Sequence, residues 1–136
     1  MNRIEVSEYF HHGYEGADSS IQSAALLTVG RANLLLDRLA LAGVPLEAND
    51  RGSLVNSGYR PAAINATIPG AARRSKHMLG LAVDINDPDG MVDDWCMNNL
   101  DVLEEIGVWL EHPSATKCWT HWQIVPPGSG NRCFYP

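Results

Sequence analysis

The sequence predicts one small α+β domain, spanning residues 1–136, in which a mainly antiparallel sheet is covered by helices. Three observations lead there. A stretch after Ser19 carries apolar residues at helical spacing. The segments Leu81–Ile85 and Trp119–Val125 alternate with the period of a strand. Turn residues separate such segments throughout, with no repeat, linker or low-complexity tract. A chain of 136 residues suits one core.

Taken in order, residues 1–16 read as a short helix and loop, with Ser7 opening the helix. Ser19-x-x-Gln22 has the pattern of a capping box ahead of a long helix. Ile21, Ala25, Thr28, Ala32, Leu35 and Leu39 then recur on one face that can pack on a sheet, and Gly43 and Pro45 stop the helix. Leu54–Arg60 resembles a short strand ended by Pro61. A helix of one or two turns follows through Ala62 to Ala66, and residues 70–76 form a loop. Asp87-Pro88-Asp89-Gly90 is a turn. Residues 91–111 contain helical material anchored by Leu100, Leu103, Ile106, Val108 and Leu110. The tail from Pro126 to Pro136 is rich in Pro and Gly and is expected to wrap the surface.

Composition narrows the function. Apolar residues make up 45% and charged residues 19%, as in soluble globular proteins. The net charge of −6 and a pI near 5.2 argue against broad nucleic-acid binding, which needs a basic face. Arg73, Arg74 and Lys76 form a local exception that either attracts an anionic substrate or is a solvated turn. Cys96, Cys118 and Cys133 are odd in number and widely spaced, so free thiols are expected. The first residues lack an apolar signal-peptide core, and no run approaches a membrane span. The expectation is a cytoplasmically made product, delivered by other means if it acts outside.

The chemistry concentrates in Ser75-Lys76-His77-Met78-Leu79-Gly80-Leu81-Ala82-Val83-Asp84. His77 and Asp84 are 84 − 77 = 7 positions apart, and His121 follows far downstream between Trp119 and Trp122. Two imidazoles and one carboxylate are the donor set of a catalytic zinc site with a position left open for water. A helix would separate His77 from Asp84 by about 10 Å along its axis. A turn through Gly80 into a strand avoids that. Leu81, Val83 and Ile85 then share one face, and Ala82 and Asp84 the other. In the second strand Trp119, His121 and Gln123 share a face.

Ser57-Gly58-Tyr59-Arg60-Pro61, then Ser75-x-His77-x-x-Gly80-x-Ala82-x-Asp84, then tryptophan-flanked His121, resemble the zinc D-alanyl-D-alanine carboxypeptidase family. That family includes vancomycin-resistance dipeptidases and carboxypeptidases and several bacteriophage endolysins. The resemblance spans roughly residues 54–125 and implies the D-Ala-D-Ala carboxypeptidase/hedgehog-like fold. It implies zinc held by His77, Asp84 and His121, with Arg60 and Ser75 contacting a peptidoglycan peptide. Arg60 is a catalytic candidate too, since a guanidinium can pair with a carboxylate or stabilise an oxyanion. The compact size resembles phage-encoded members, which implies action on the cell wall after phage-assisted release, or as a virion component beside other virion proteins. A monomer is otherwise expected.

One departure stands out. The family carries its general base as a glutamate three residues before the last histidine, or a histidine two before it. Cys118 and Trp119 occupy those positions here. Glu111 and His112, just upstream, are the candidates to replace it, ahead of Asp87 and Asp89. The alternative is a non-catalytic phage structural or wall-binding protein with a degenerate metal site. His11 and His12 read as surface residues, and Tyr59 as core. The four tryptophans would mostly pack the core, or line a binding groove.

Overall fold

The computed structural model describes residues 3–136. Five strands form one sheet in the order β1-β2-β4-β3-β5, with Val55–Ser57 as β1, Ala82–Asp87 as β2, Trp109–Glu111 as β3, Cys118–Gln123 as β4 and Cys133–Phe134 as β5. All pairings are antiparallel except β3 with β5. The helices are α1 (Val6–Tyr9), α2 (Ser19–Leu41), α3 (Ala62–Thr67), α4 (Met91–Met97) and α5 (Leu100–Ile106). The architecture is the expected mixed α+β fold.

The long helix α2 organises the core. Ala25, Val29, Ala32, Leu35, Leu36 and Leu39 are buried, and they pack with Val83, Ile85 and Trp122 of the sheet. Its N-cap is Asp18, whose side chain accepts a hydrogen bond from Ile21 N at 2.9 Å. The Ser19 capping box is therefore corrected by one residue: Asp18 caps as well as serine does, and Gln22 instead donates to Ala17 O. Ser7 does not open α1 either. Glu5 is the N-cap, and its backbone N–H donates to the Glu8 side chain at 2.9 Å.

Three further expectations are corrected. Helical material after Gly90 stops at Ile106, where Gly107 adopts a φ of +87°. Trp109–Glu111 is a strand instead, paired antiparallel with β4. The tail does not merely wrap the surface: β5 adds an edge strand beside β3. Beyond Ser57 the predicted strand ends early, because Tyr59 N and Arg60 N donate to Tyr9 O and His77 O instead of to the sheet. Among the described residues no helix is long and apolar enough to cross a membrane.

Candidate metal centre

One transverse row of the sheet builds the site. Asp84 of β2 pairs with His121 of β4 on one side and with Ser57 of β1 on the other. The β1–β2 register slips by one residue between Val55 and Ser57. This bulge keeps Val55 opposite Ile85 in the core while Ser57 meets Asp84. On the far side, β3 runs Trp109 opposite Gln123 and Leu110 opposite Trp122. One more step of that register sets Glu111 beside His121.

His77 reaches this row from outside the sheet. A 3₁₀ turn, Lys76–Leu79, presents it. Ser75 is the N-cap of that turn, its Oγ accepting from His77 N at 3.2 Å. Gly80 ends it at a φ of +74°. A Cβ on Gly80 would lie 2.7 Å from Ile21 O of α2, so both backbone conformation and space demand glycine. Thr28 of α2 donates to Gly80 O at 2.6 Å and ties the turn down. The seven-residue offset is thus spanned by a turn through Gly80 into β2, as expected.

Asp84 Oδ1 lies 3.2 Å from His77 Nε2 and 2.9 Å from His121 Nδ1. One ligand atom from each of the three residues falls within 4.8 Å of the others, and all three side chains are buried. Each imidazole is oriented from behind. His77 Nδ1–H donates to Gly58 O at 2.8 Å, leaving Nε2 to face the site. His121 Nε2–H donates to Gln123 Oε1 at 3.0 Å, and Gln123 Nε2 in turn donates to Val125 O. Such outer contacts fix ring orientation and tautomer in metal-binding histidines. The donor set and its outer contacts fit a divalent cation such as zinc.

Arg60 donates to Ser57 Oγ, to Asn65 Oδ1 and to Asp84 Oδ2, at 2.9, 3.3 and 3.3 Å. Its guanidinium therefore holds the second oxygen of Asp84. Burial disfavours the Asp84 charge, but the two histidines outweigh it and hold the carboxyl well below the usual range. Burial likewise works against the charged His121, yet the Asp84 hydrogen bond and field raise its pKa. For His77 burial wins over Asp84, and the pKa is lowered.

The structure brings Glu111 to the centre and leaves His112 outside. Glu111 Oε2 lies 3.9 Å from His121 Nδ1. Burial raises the Glu111 pKa, opposed by His121 and assisted by Asp84. The His112 ring stacks on Tyr135 at 4.4 Å, and its Nδ1 accepts from Ser114 N. Asp87 is occupied elsewhere, accepting from Val92 N and Asp93 N at the start of α4. Asp89 is exposed in the turn, and Cys118 is exposed on β4.

Other candidates fall outside the centre. His11 and His12 are half-buried rather than at the surface, with ring centroids 4.0 Å apart, and His11 contacts Asn56 O. Tyr59 is core, and its hydroxyl donates to Glu15 O. Trp122 is core as well, while Trp109 lies under the Arg132 guanidinium at 4.2 Å. Arg73 and Arg74 are exposed in the loop before Ser75. The sequence reading gave no role to Gly58 or Gln123. Strand alternation had put Gln123 on the His121 face and was a usable signal for it. The Gly58 carbonyl left no side-chain signal.

A family model described as Peptidase M15 matches residues 15–105, more than half of the chain. No curated protein and no solved structure matches it. The matched span contains His77, Asp84 and Arg60 and stops short of Glu111 and His121.

Proposed function

The chain belongs to the Peptidase M15 family, and from that premise we propose that it hydrolyses an amide next to a D-amino acid in peptidoglycan stem peptides, using zinc held by His77, Asp84 and His121. One observation carries the reading: three buried donors converge within 4.8 Å, and a carboxylate stands at their edge. The D-amino-acid substrate rests on the resemblance of the Ser57–Pro61 and Ser75–Asp84 motifs to D-alanyl-D-alanine carboxypeptidases.

Bound zinc supplies Lewis acidity, activating water and polarising an amide carbonyl. The chain's own groups do the rest. Glu111 takes the proton of the attacking water and returns it to the leaving amine. Its raised pKa suits both halves of that task. Arg60 fixes Asp84 and turns its remaining N–H groups toward the developing oxyanion or a substrate carboxylate. Ser75 holds the turn that presents His77. A cavity of about 290 Å³ touches the site through Arg60 alone; neither the three donors nor Glu111 line it.

The non-catalytic reading drew its support from Cys118 and Trp119 at the family's base position. Glu111 weakens it, because β3 supplies a carboxylate 3.9 Å from His121 Nδ1. In the phage setting, the enzyme would open the wall at lysis or from the virion. The test is metal analysis followed by mass spectrometry of digested wall fragments. New amine and carboxylate ends that vanish with chelation support hydrolysis, whereas a zinc-loaded, folded protein that produces none defeats it.

A further inference from the structure

The sheet face that carries Asp84 and His121 continues past Glu111 onto β5. Parallel pairing sets Leu110 beside Cys133 and Glu111 beside Phe134. Cys133 packs against the core that contains Leu110. Phe134 therefore takes the opposite face, where its ring meets His121 edge-on at 6.4 Å. Arg132 lies two residues before Phe134, and alternation gives it the same face. Its carbonyl accepts from Leu110 N at 2.8 Å, so the ladder runs on to it. Trp109 shares that face, because it stands opposite Gln123, whose side chain bonds His121. The Arg132 guanidinium lies over the Trp109 ring, 4.2 Å from its centroid, which agrees with both placements.

Neither side chain is used up by the fold. Trp109 is half-buried and stays outside the core that takes Trp122 and Trp95. Arg132 is half-buried as well, and it donates once within the chain, from Nη1 to Val108 O at 3.1 Å. A guanidinium carries several further N–H donors, so most of them remain open. Among the described residues Arg132 makes no ion pair, although the chain carries −6. The Trp109 ring and the bond to Val108 O hold its plane, and a guanidinium held in place loses less freedom on binding than a free one. Such a group selects a carboxylate, through paired charge-assisted hydrogen bonds.

We propose that Arg132, laid on Trp109, is a specificity residue that takes a carboxylate of the stem peptide away from the amide being cut. The inference rests on the hydrolytic reading above and names a substrate feature for it. β5 lies two strands beyond β4 and Arg132 one row along from Glu111, which puts Arg132 roughly 12 Å from His121. An extended peptide covers that distance in about three or four residues. Arg60 stands on the other side of the centre, against Asp84. A peptide laid across the row would pass over His121 and Glu111 between the two guanidiniums, so an acidic residue a few positions from the scissile amide would meet Arg132. An apolar group fits less well there, since Arg132 already covers one face of Trp109.

The experiment is calorimetric binding of short stem peptides to the zinc-loaded full chain carrying Glu111→Gln, which slows cutting. Each peptide carries one acidic side chain, at a different position, and is compared with its carboxamide analogue. Where the acid lies about three residues from the scissile amide, it should bind about 10- to 100-fold more tightly than the amide. Adding Arg132→Gln should bring that ratio near one, and Arg132→Lys should keep part of it. A merely structural role for Arg132 would weaken acid and amide alike and leave the ratio where it was. No binding, equal affinity in every pair, or a preference that survives Arg132→Gln overturns the proposal. Turnover by the wild type is read separately. A binding preference without new peptide ends would defeat hydrolysis and leave the subsite standing, and cutting without the preference would do the reverse.

Discussion

Replacing Glu111 with Gln isolates the proton-transfer step. The two side chains have the same shape, so the half-buried place beside His121 is filled as before. What disappears is a group able to take a proton. Loss of a general base costs about 100- to 10,000-fold, or ~2.7–5.5 kcal/mol in activation free energy. The loss should fall on kcat with KM nearly unchanged, because the carboxylate acts in the transition state. Stability should move the other way. Burial raises the Glu111 pKa, so the folded chain binds that proton more tightly than the unfolded one. Stability therefore falls as pH rises past the ordinary carboxylate range. Gln removes that loss, and the Tm at neutral pH should hold or rise. The assay is steady-state hydrolysis of a stem peptide followed by mass spectrometry, with zinc affinity from chelator competition. His112→Gln serves as the matched control and should retain most activity, since His112 stacks on Tyr135. Glu111→Gln turning over within about tenfold of wild type, folded and zinc-loaded, would refute the assignment. A parallel collapse of zinc affinity would instead make Glu111 a fourth donor.

Other outcomes follow from the same geometry. Zinc at about 100 times its Kd should stabilise the fold by ~2.7 kcal/mol and raise Tm by roughly 10 °C in a thermal melt, and a chelator should reverse this. Gln123→Leu removes the acceptor of His121 Nε2–H and should weaken zinc about 10- to 100-fold in a competition titration. Gly58→Ala would put a Cβ 2.1 Å from Tyr9 O, so a loss above about 3 kcal/mol is expected in denaturant unfolding, together with zinc binding, since the Gly58 carbonyl orients His77. Asp93 is raised by burial to about 6; the native state holds its proton more tightly, so wild-type stability should fall between about pH 4 and pH 6. Asp93→Asn should flatten that slope in Tm against pH, and an unchanged slope would count against it.

The candidate metal donors were legible because each lies in a strongly patterned segment. Gly80 forced a turn between His77 and Asp84, and alternation aimed Asp84 and His121. The long helix was equally plain from its apolar spacing. Its cap was misplaced by one residue because Asp18 and Ser19 are both good caps, and only the backbone path chooses between them. Trp109–Glu111 was hidden for a different reason. A three-residue strand is too short to show a period, and it follows directly on the α5 pattern. With that strand unseen, the choice between Glu111 and His112 stayed open. The β1 bulge left no sequence mark, so the Ser57–Arg60–Asp84 contact was invisible.

The site also accounts for its own departure from the family's spacing. The candidate row runs across strands, so what admits a residue is its place in the register. A base three residues before the last histidine lies on the histidine's own segment. Glu111 lies 121 − 111 = 10 residues before His121, on a neighbouring strand, and arrives because β3 pairs antiparallel with β4. In a sheet, directly opposite residues lie about 5 Å apart however distant they are in sequence. A substitution at Cys118 or Trp119 therefore need not cost catalysis when the adjoining strand offers a carboxylate in the same row. A register slip of one residue between β3 and β4 would turn Glu111 to the opposite face of the sheet. Inserting one residue into β3 before Glu111 should thus abolish turnover while leaving His77, Asp84 and His121 able to hold zinc. Activity that survived such an insertion would mean the proton passes through a group outside the row.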